Sequence, residues 1–240
     1  MAVMDPRSNA VYRKAIEELF AFLKTTSAPD DLWSKCIPLE GGAGYLLPVC
    51  ELHTHDEPLL RELTRWRDEN AFAYPTQFKP TLESTRNWLR QRLLDVPDRI
   101  LFLVTDRTGR PLGHLGYASC LNDTGTMEID NVVRGVKEAG PGLFAAAMTA
   151  ALEWARTMFG PEEIDLRVFE DNDHAVTFYR KLGFRNDTLI PLRREEKPGM
   201  ISYVPAGPGQ RSERNFLRMV YAPSPRKDGF GTLLTAGPSI

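Results

Sequence analysis

Apolar positions change their period along the chain, and the changes mark out its elements. Between residues 9 and 24 they fall at Val11, Ala15, Ile16, Leu19, Phe20, Phe22 and Leu23, the spacing of a helix with one wet face. Residues 25–31 read as a turn, Gly41-Gly42-Ala43-Gly44 as a flexible junction, and 45–52 as a strand. A helix follows over 56–70, with Leu59, Leu60, Leu63 and Trp66 on one side and Asp56 or Thr54 as its N-cap. An aromatic loop through Phe72, Tyr74 and Phe78 leads to a helix over 82–94, capped by Thr81, with Trp88, Leu89 and Leu93 inward. Two strands, 99–105 and 112–120, are joined by the turn Asp106-Arg107-Thr108-Gly109-Arg110-Pro111. A second turn, Asn122-Asp123-Thr124-Gly125, enters a third strand over 127–133, so the three form an antiparallel meander.

The next stretch organises the rest. Strand 127–133, a glycine-containing turn over 134–142, an alanine-rich helix over 143–157 and strand 164–169 imply two adjacent parallel strands with the helix as crossover. The turn thereby sets a helix N-terminus, with unpaired N–H groups and partial positive charge, beside the end of a central strand, which suits a phosphate or pyrophosphate. Gly140 and Gly142 let the backbone approach an anion. Neither a P-loop nor a Gly-x-Gly-x-x-Gly is present. Beyond residue 184 the pattern predicts a strand over 188–193, a charged loop over 194–214, a strand over 215–221 and a loose Pro/Gly/Ser-rich tail over 222–240.

The run Asn172-x-x-Ala175-x-x-Phe178-Tyr179-x-Lys181-x-Gly183-Phe184 resembles the C-terminal motif of the Gcn5-related N-acetyltransferase (GNAT) superfamily. The turn before the first helix, with Trp154-Ala155 near that helix's end, resembles its acetyl-CoA motif, and the resemblance spans about residues 44–187. It implies an α/β (α+β) fold with a mixed, strongly twisted sheet flanked by helices, a domain over 44–221, an N-terminal helical extension over 1–43 and a C-terminal extension. It also implies acetyl-CoA as donor, lying where the two parallel strands part. The residues toward the cofactor would be Val132 and Val133 at the strand edge, Arg134, Lys137, Gly140, Gly142, Leu143 and Phe144 at the turn, and Asn172, Ala175 and Phe178 on the last helix. Two registers of the glycine motif are open. Gly140 and Gly142 as its glycines put Lys137 in the basic position, whereas counting back from Trp154 makes Gly142 the first glycine and puts Phe144 at the second small position.

Acetyl transfer to an amine needs a neutral lone pair, a polarised carbonyl and a proton for the departing thiolate. Glu128 and Asp130 fall on one face of strand 127–133. The superfamily uses a carboxylate on this strand, and Glu128 is the expected base; two solvated acids on an exposed face are the plainer alternative. Tyr179 stands where the motif places a tyrosine facing the cofactor sulfur, against the plainer reading of a core aromatic. Asn172 suits an N-cap, with or without a cofactor contact. The four histidines show no metal-ligand spacing, so no metal is expected, and Cys120 reads as a buried thiol.

With 30 basic and 32 acidic residues the net charge is −2, which gives no general pull toward nucleic acid or anionic membrane. Three widely spaced cysteines indicate neither disulfide framework nor zinc site, and a reduced cytoplasmic setting is expected. The run 143–155 is too short to span a bilayer. The N-terminal helix is expected against the domain or in a homodimer contact. The expected reaction is direct transfer to a primary amine of a small-molecule acceptor, with an amino sugar, free or nucleotide-linked, ahead of a protein N-terminus. Transfer of another acyl group and a non-catalytic acyl-CoA-binding module are the rivals.

Overall fold

The computed structural model describes residues 6–223 apart from Ser27 and Glu138, and the side chains from residue 10 onward. Six α-helices are described: α1 (Pro6–Lys24), α2 (Pro29–Ser34), α3 (Glu57–Glu69), α4 (Leu82–Leu89), α5 (Leu143–Met158) and α6 (Asp173–Lys181). Ten strands form one sheet: β1 (Ile37–Pro38), β2 (Gly44–Pro48), β3 (Thr76–Phe78), β4 (Ile100–Asp106), β5 (Pro111–Ala118), β6 (Thr126–Arg134), β7 (Glu163–Phe169), β8 (Phe184–Lys197), β9 (Met200–Pro205) and β10 (Arg214–Tyr221). Their order is β1-β2-β4-β5-β6-β7-β10-β8-β9-β3. Every pairing is antiparallel except β6 with β7. This is the mixed sheet with a parallel crossover that the apolar pattern implies.

Helices cover both faces. β4 is buried along nearly its whole length because Ile100, Phe102 and Val104 face α1, α5 and α6, while Leu101 and Leu103 face α2, α3 and α4. The expected helix over 56–70 is α3: Asp56 caps it by accepting from the Leu59 N–H at 3.0 Å, and Leu59, Leu60, Leu63 and Trp66 are buried. α1 is docked on the domain. Its Tyr12, Ile16, Phe20 and Leu23 enter the core, where Phe20 stacks on Trp154 of α5, and burial of each such side chain is worth roughly 1.5–3 kcal/mol. The Lys24 ammonium at its end donates to the carbonyls of Leu93 and Val96 at 2.9 and 2.6 Å.

Several boundaries depart from the pattern. The strand expected over 45–52 ends at Pro48, because Glu51–Thr54 coils into a 3-10 turn that the Cys50 backbone and the His53 ring close on each other. Within the expected turn over 25–31, Pro29 starts α2, as a proline can at a first helical turn. The helix expected over 82–94 is α-helical only to Leu89 and continues as a π turn over Arg90–Leu94. The loop expected over 194–214 is largely the β8–β9 hairpin. That hairpin exposes much of both faces, so its sequence lacks the apolar alternation that marks a half-buried strand. β3 forms from the expected aromatic loop and closes the edge of the sheet on β9. The tail expected over 222–240 lies outside the described residues from 224 on.

Candidate acetyl-CoA and acceptor site

The parallel pair separates partway along. β6 and β7 are in register from Thr126 with Glu163 to Ile129 with Leu166 and no further, although β6 runs on to Arg134 and β7 to Phe169. Beyond that point β6 follows β5 and β7 follows β10. A bulge assists the parting: from His114 to Gly116, β5 advances two residues while β6 passes from Val133 to Asp130, and Asn131 takes φ = 54°. The bulge also reverses the pleat, so Met127 and Ile129 pack with α5 whereas Val133 packs with α3 and α4. The separated edges lack the hydrogen bonds that two paired strands would give each other, and a ligand with amide groups can supply them.

A cleft of about 270 Å³ occupies the fork. Glu128, Asp130, Asn131, Val132 and Val133 line it from β6, Leu166 and Val168 from β7, and Asn172, Ala175 and Tyr179 from the α6 side. Phe178, half-buried, stacks at an angle against Tyr179 with centroids 5.5 Å apart. Asn172 caps α6 through Oδ1, which accepts from the Ala175 N–H at 3.3 Å. The Tyr179 hydroxyl makes no hydrogen bond to a described residue, and burial, with the charge of Asp130 adding to it, raises its pKa. It therefore stays protonated through the physiological range.

The two carboxylates on β6 differ. Glu128, only 15 % exposed, is held by Arg167 through two hydrogen bonds of 2.7 Å. Asp130 accepts from the backbone and side-chain N–H groups of Asn131 at 2.8 and 2.7 Å, and Arg99 stands 3.5 Å away. Burial raises the Asp130 pKa against the opposing pull of Arg99. Asn131 also accepts, through its carbonyl, from His114 Nδ1 at 2.6 Å.

At the far end of β6 the turn delivers α5. Gly142 is its N-cap in the left-handed region, φ = 85°, which favours glycine. A Cβ on Gly140 or Gly142 would meet nothing within 4 Å, so the space above both is open. The side chains of Leu143 and Phe144 are buried, which leaves their amides as the part available to an anion at the helix start. The Phe144 ring lies against Gly113 in the core. Arg134 is exposed, and its Nη2 donates to the Lys137 and Ala139 carbonyls at 2.5 and 2.6 Å and thus braces the turn. Lys137 is exposed on that turn, and Arg110 lines the depression beside Gly140 and Gly142. Gly135 is required for a different reason, since a Cβ there would stand 2.1 Å from the buried Trp66 ring.

The fork thus gathers Glu128, Val132 and Val133 of the expected β6 residues and Asn172, Ala175 and Tyr179 of those at α6, while Phe178 and Arg134 lie outside its lining and the glycine turn lies beyond it. Asn131, Arg99 and Arg167 are additions. Asn131 had a signal, because apolar positions 127, 129, 132 and 133 slip phase by one residue at 131. The two arginines had none, for their partners are set by tertiary pairing. Among the described residues no metal-binding cluster occurs and no helix is long and apolar enough to cross a membrane.

Parted parallel strands, an open-backbone helix start and a tyrosine at the fork define the architecture of a transferase that draws its acyl group from coenzyme A. The profile of the acetyltransferase (GNAT) family matches residues 60–184, and the chain belongs to that family. Acetyl-CoA is the family's acyl donor. The chain is similar in structure to a probable acetyltransferase of the GNAT family from Chromobacterium violaceum, with 20 % identity, a TM-score of 0.56, and coverage of 82 % of this chain and 88 % of that one. It is also similar to RimL, a ribosomal L7/L12 α-N-protein acetyltransferase solved with coenzyme A, at 14 % identity, TM-score 0.57, and coverage of 78 % and 97 %. A spermidine N-acetyltransferase chimera of Vibrio cholerae SpeG and hSSAT matches at 17 % identity and TM-score 0.50, over 69 % of this chain and 90 % of that one. Likeness at these identities concerns the fold. No curated protein matches the chain.

Proposed function

We propose that this protein is an acetyl-CoA-dependent N-acetyltransferase that acts directly on the primary amine of a small polar acceptor, with amino sugars the first class to test. The observation that carries the reading is the fork: β6 and β7 part after Ile129 and Leu166 and leave a cleft lined by Asp130, Asn172 and Tyr179. The backbone of Val132 and Val133 would bond the amides of the pantetheine arm, and the α5 start at Gly140 to Phe144 would take the pyrophosphate, with Lys137 as its nearest basic residue in the motif. Ala175 and Phe178 would flank the arm from α6.

The chemistry divides between two side chains. Asp130, whose pKa is raised, accepts the proton from the incoming ammonium, directly or through water, so that the nitrogen can bond to the acetyl carbon. Tyr179 donates a hydrogen bond to the sulfur as the carbon–sulfur bond breaks, and the second proton, which the nitrogen sheds on becoming an amide, replaces the one the hydroxyl passes to the thiolate. Glu128, expected from the sequence to be the base, is better suited to hold Arg167, since both its oxygens already accept from a cation. No side chain in the cleft needs to carry the acetyl group.

The test is thiol release from acetyl-CoA over a panel of amines: neutral amino sugars, nucleotide-linked amino sugars, amino acids, spermidine and a peptide N-terminus. Amine-dependent release with an acetylated amine as product supports the reading. Acetyl-CoA binding without release across the panel would support a binding module instead.

A further inference from the structure

We propose that the pocket between α3, α4 and β5 is a carboxylate-binding subsite built on Arg67, so that the acceptor is a primary amine that also carries a carboxylate. The inference rests on the acceptor reading above and narrows it.

The pocket, about 80 Å³, is walled by Tyr74, Phe78, Trp88 and His114, with Arg67 among them. The Arg67 guanidinium is half-buried and stacks on Tyr74 with its carbon 3.4 Å from the ring centroid; Phe78 is 5.4 Å away. It donates one hydrogen bond, to the Thr76 carbonyl at 2.7 Å. No carboxylate pairs with it among the described residues, although its neighbours on α3 are all paired: Arg61 with Glu57, and Arg65 with both Glu62 and Glu69. The more exposed arginines of this helix have acids in contact, whereas the desolvated one feels Asp130 only at a distance and forms no ion pair. A cation withdrawn from water without a contact ion pair is costly unless a ligand completes it, and stacking leaves the in-plane N–H groups that Thr76 does not use open to a carboxylate.

The surroundings agree. His114 must donate through Nδ1, because its partner there is the Asn131 carbonyl. Burial, with Arg67 adding to it, holds its pKa down to about 4, so it is neutral at physiological pH and adds no second cation. Tyr74 and Asn131 line both this pocket and the main cleft, and Asp130 adjoins Asn131 in the chain. A carboxylate on Arg67 therefore directs the amine of the same small molecule toward Asp130. A polyamine would instead present a second cation to Arg67.

Calorimetric titration of the full chain with N-acetylphenylalanine and with N-acetylphenylalanine amide reads the subsite without turnover. The acid is expected to bind about tenfold or more tightly than the amide, the worth of one charge-assisted pair. Arg67→Met should erase the difference and Arg67→Lys should retain part of it. Equal affinities in the unaltered protein, or a preference that survives Arg67→Met, would overturn the proposal, and the first comparison needs no variant. In the thiol-release panel, amines bearing a carboxylate should lead their methyl esters. Turnover of esters and acids alike would remove the subsite and keep the acetyltransferase, whereas acid-selective binding with no release from any amine would remove the acetyltransferase reading instead. Stronger binding of phenyl phosphate than of the acid would place a phosphate in the subsite and overturn the carboxylate assignment.

Discussion

Replacing Tyr179 by Phe removes one oxygen from the fork and little else. Its hydroxyl makes no hydrogen bond to a described residue, so the change leaves no protein group without a partner. Ring contacts with Phe178 and Phe184, at centroid separations of 5.5 and 5.9 Å, survive in the phenylalanine. Folding stability should therefore change little, since Tyr179 lines the open cleft. Catalysis should not be so indifferent. A hydrogen bond to a group gaining charge is worth about 1.5–3 kcal/mol net, and each 1.36 kcal/mol is tenfold in rate, so kcat should fall about 10- to 150-fold. Because the sulfur gains charge only as the bond breaks, KM for acetyl-CoA should change little. Continuous thiol release, with thermal unfolding followed on the same samples, measures both sides. An unchanged kcat would refute the hydroxyl's role. A fall in kcat matched by a fall in Tm would show that the reasoning about its surroundings is wrong.

Asp130→Asn should reduce kcat/KM more than Glu128→Gln, and should remove the acidic limb of the pH–rate profile. Since burial raises the Asp130 pKa and the base must be ionised, that limb in the unaltered enzyme should lie above the ordinary carboxylate value of 3.8; the opposite ranking of the two variants would return the base to Glu128. Lys24 gives a stability signature. Burial lowers its pKa from 10.5 to about 8, so between these values the unfolded chain binds the more protons and stability rises with pH. Urea titrations from pH 7.5 to 10.5 should show that rise, and Lys24→Met should flatten it; equal slopes in both proteins would contradict the burial argument.

Much of this was legible in the sequence because the fold's centre is written in local terms. The α3 apolar stripe, the meander turns, the glycine turn and the Asn172–Phe184 run each carry their own signal, and together they place the fork. What escaped the sequence is set by distant partners. β8 and β9 are half-solvated and exist because β10 pairs β8 and β8 in turn pairs β9. Arg134 reads as a phosphate ligand, and only the fold shows that its Nη2 also braces the turn through the Lys137 and Ala139 carbonyls. Glu128 reads as a free acid until Arg167, 39 residues on, is brought against it. Arg67 looks like any helix-surface arginine, and only the fold shows that it alone among the α3 arginines forms no contact ion pair with a described residue.

Amide hydrogen exchange with and without acetyl-CoA tests the fork most directly. Protection should appear at residues 131–134 of β6 and at 142–144 at the start of α5, with β2 and β4 unaffected. Binding that leaves those amides exchanging at their original rate, or protects a different face of the sheet, would contradict the account.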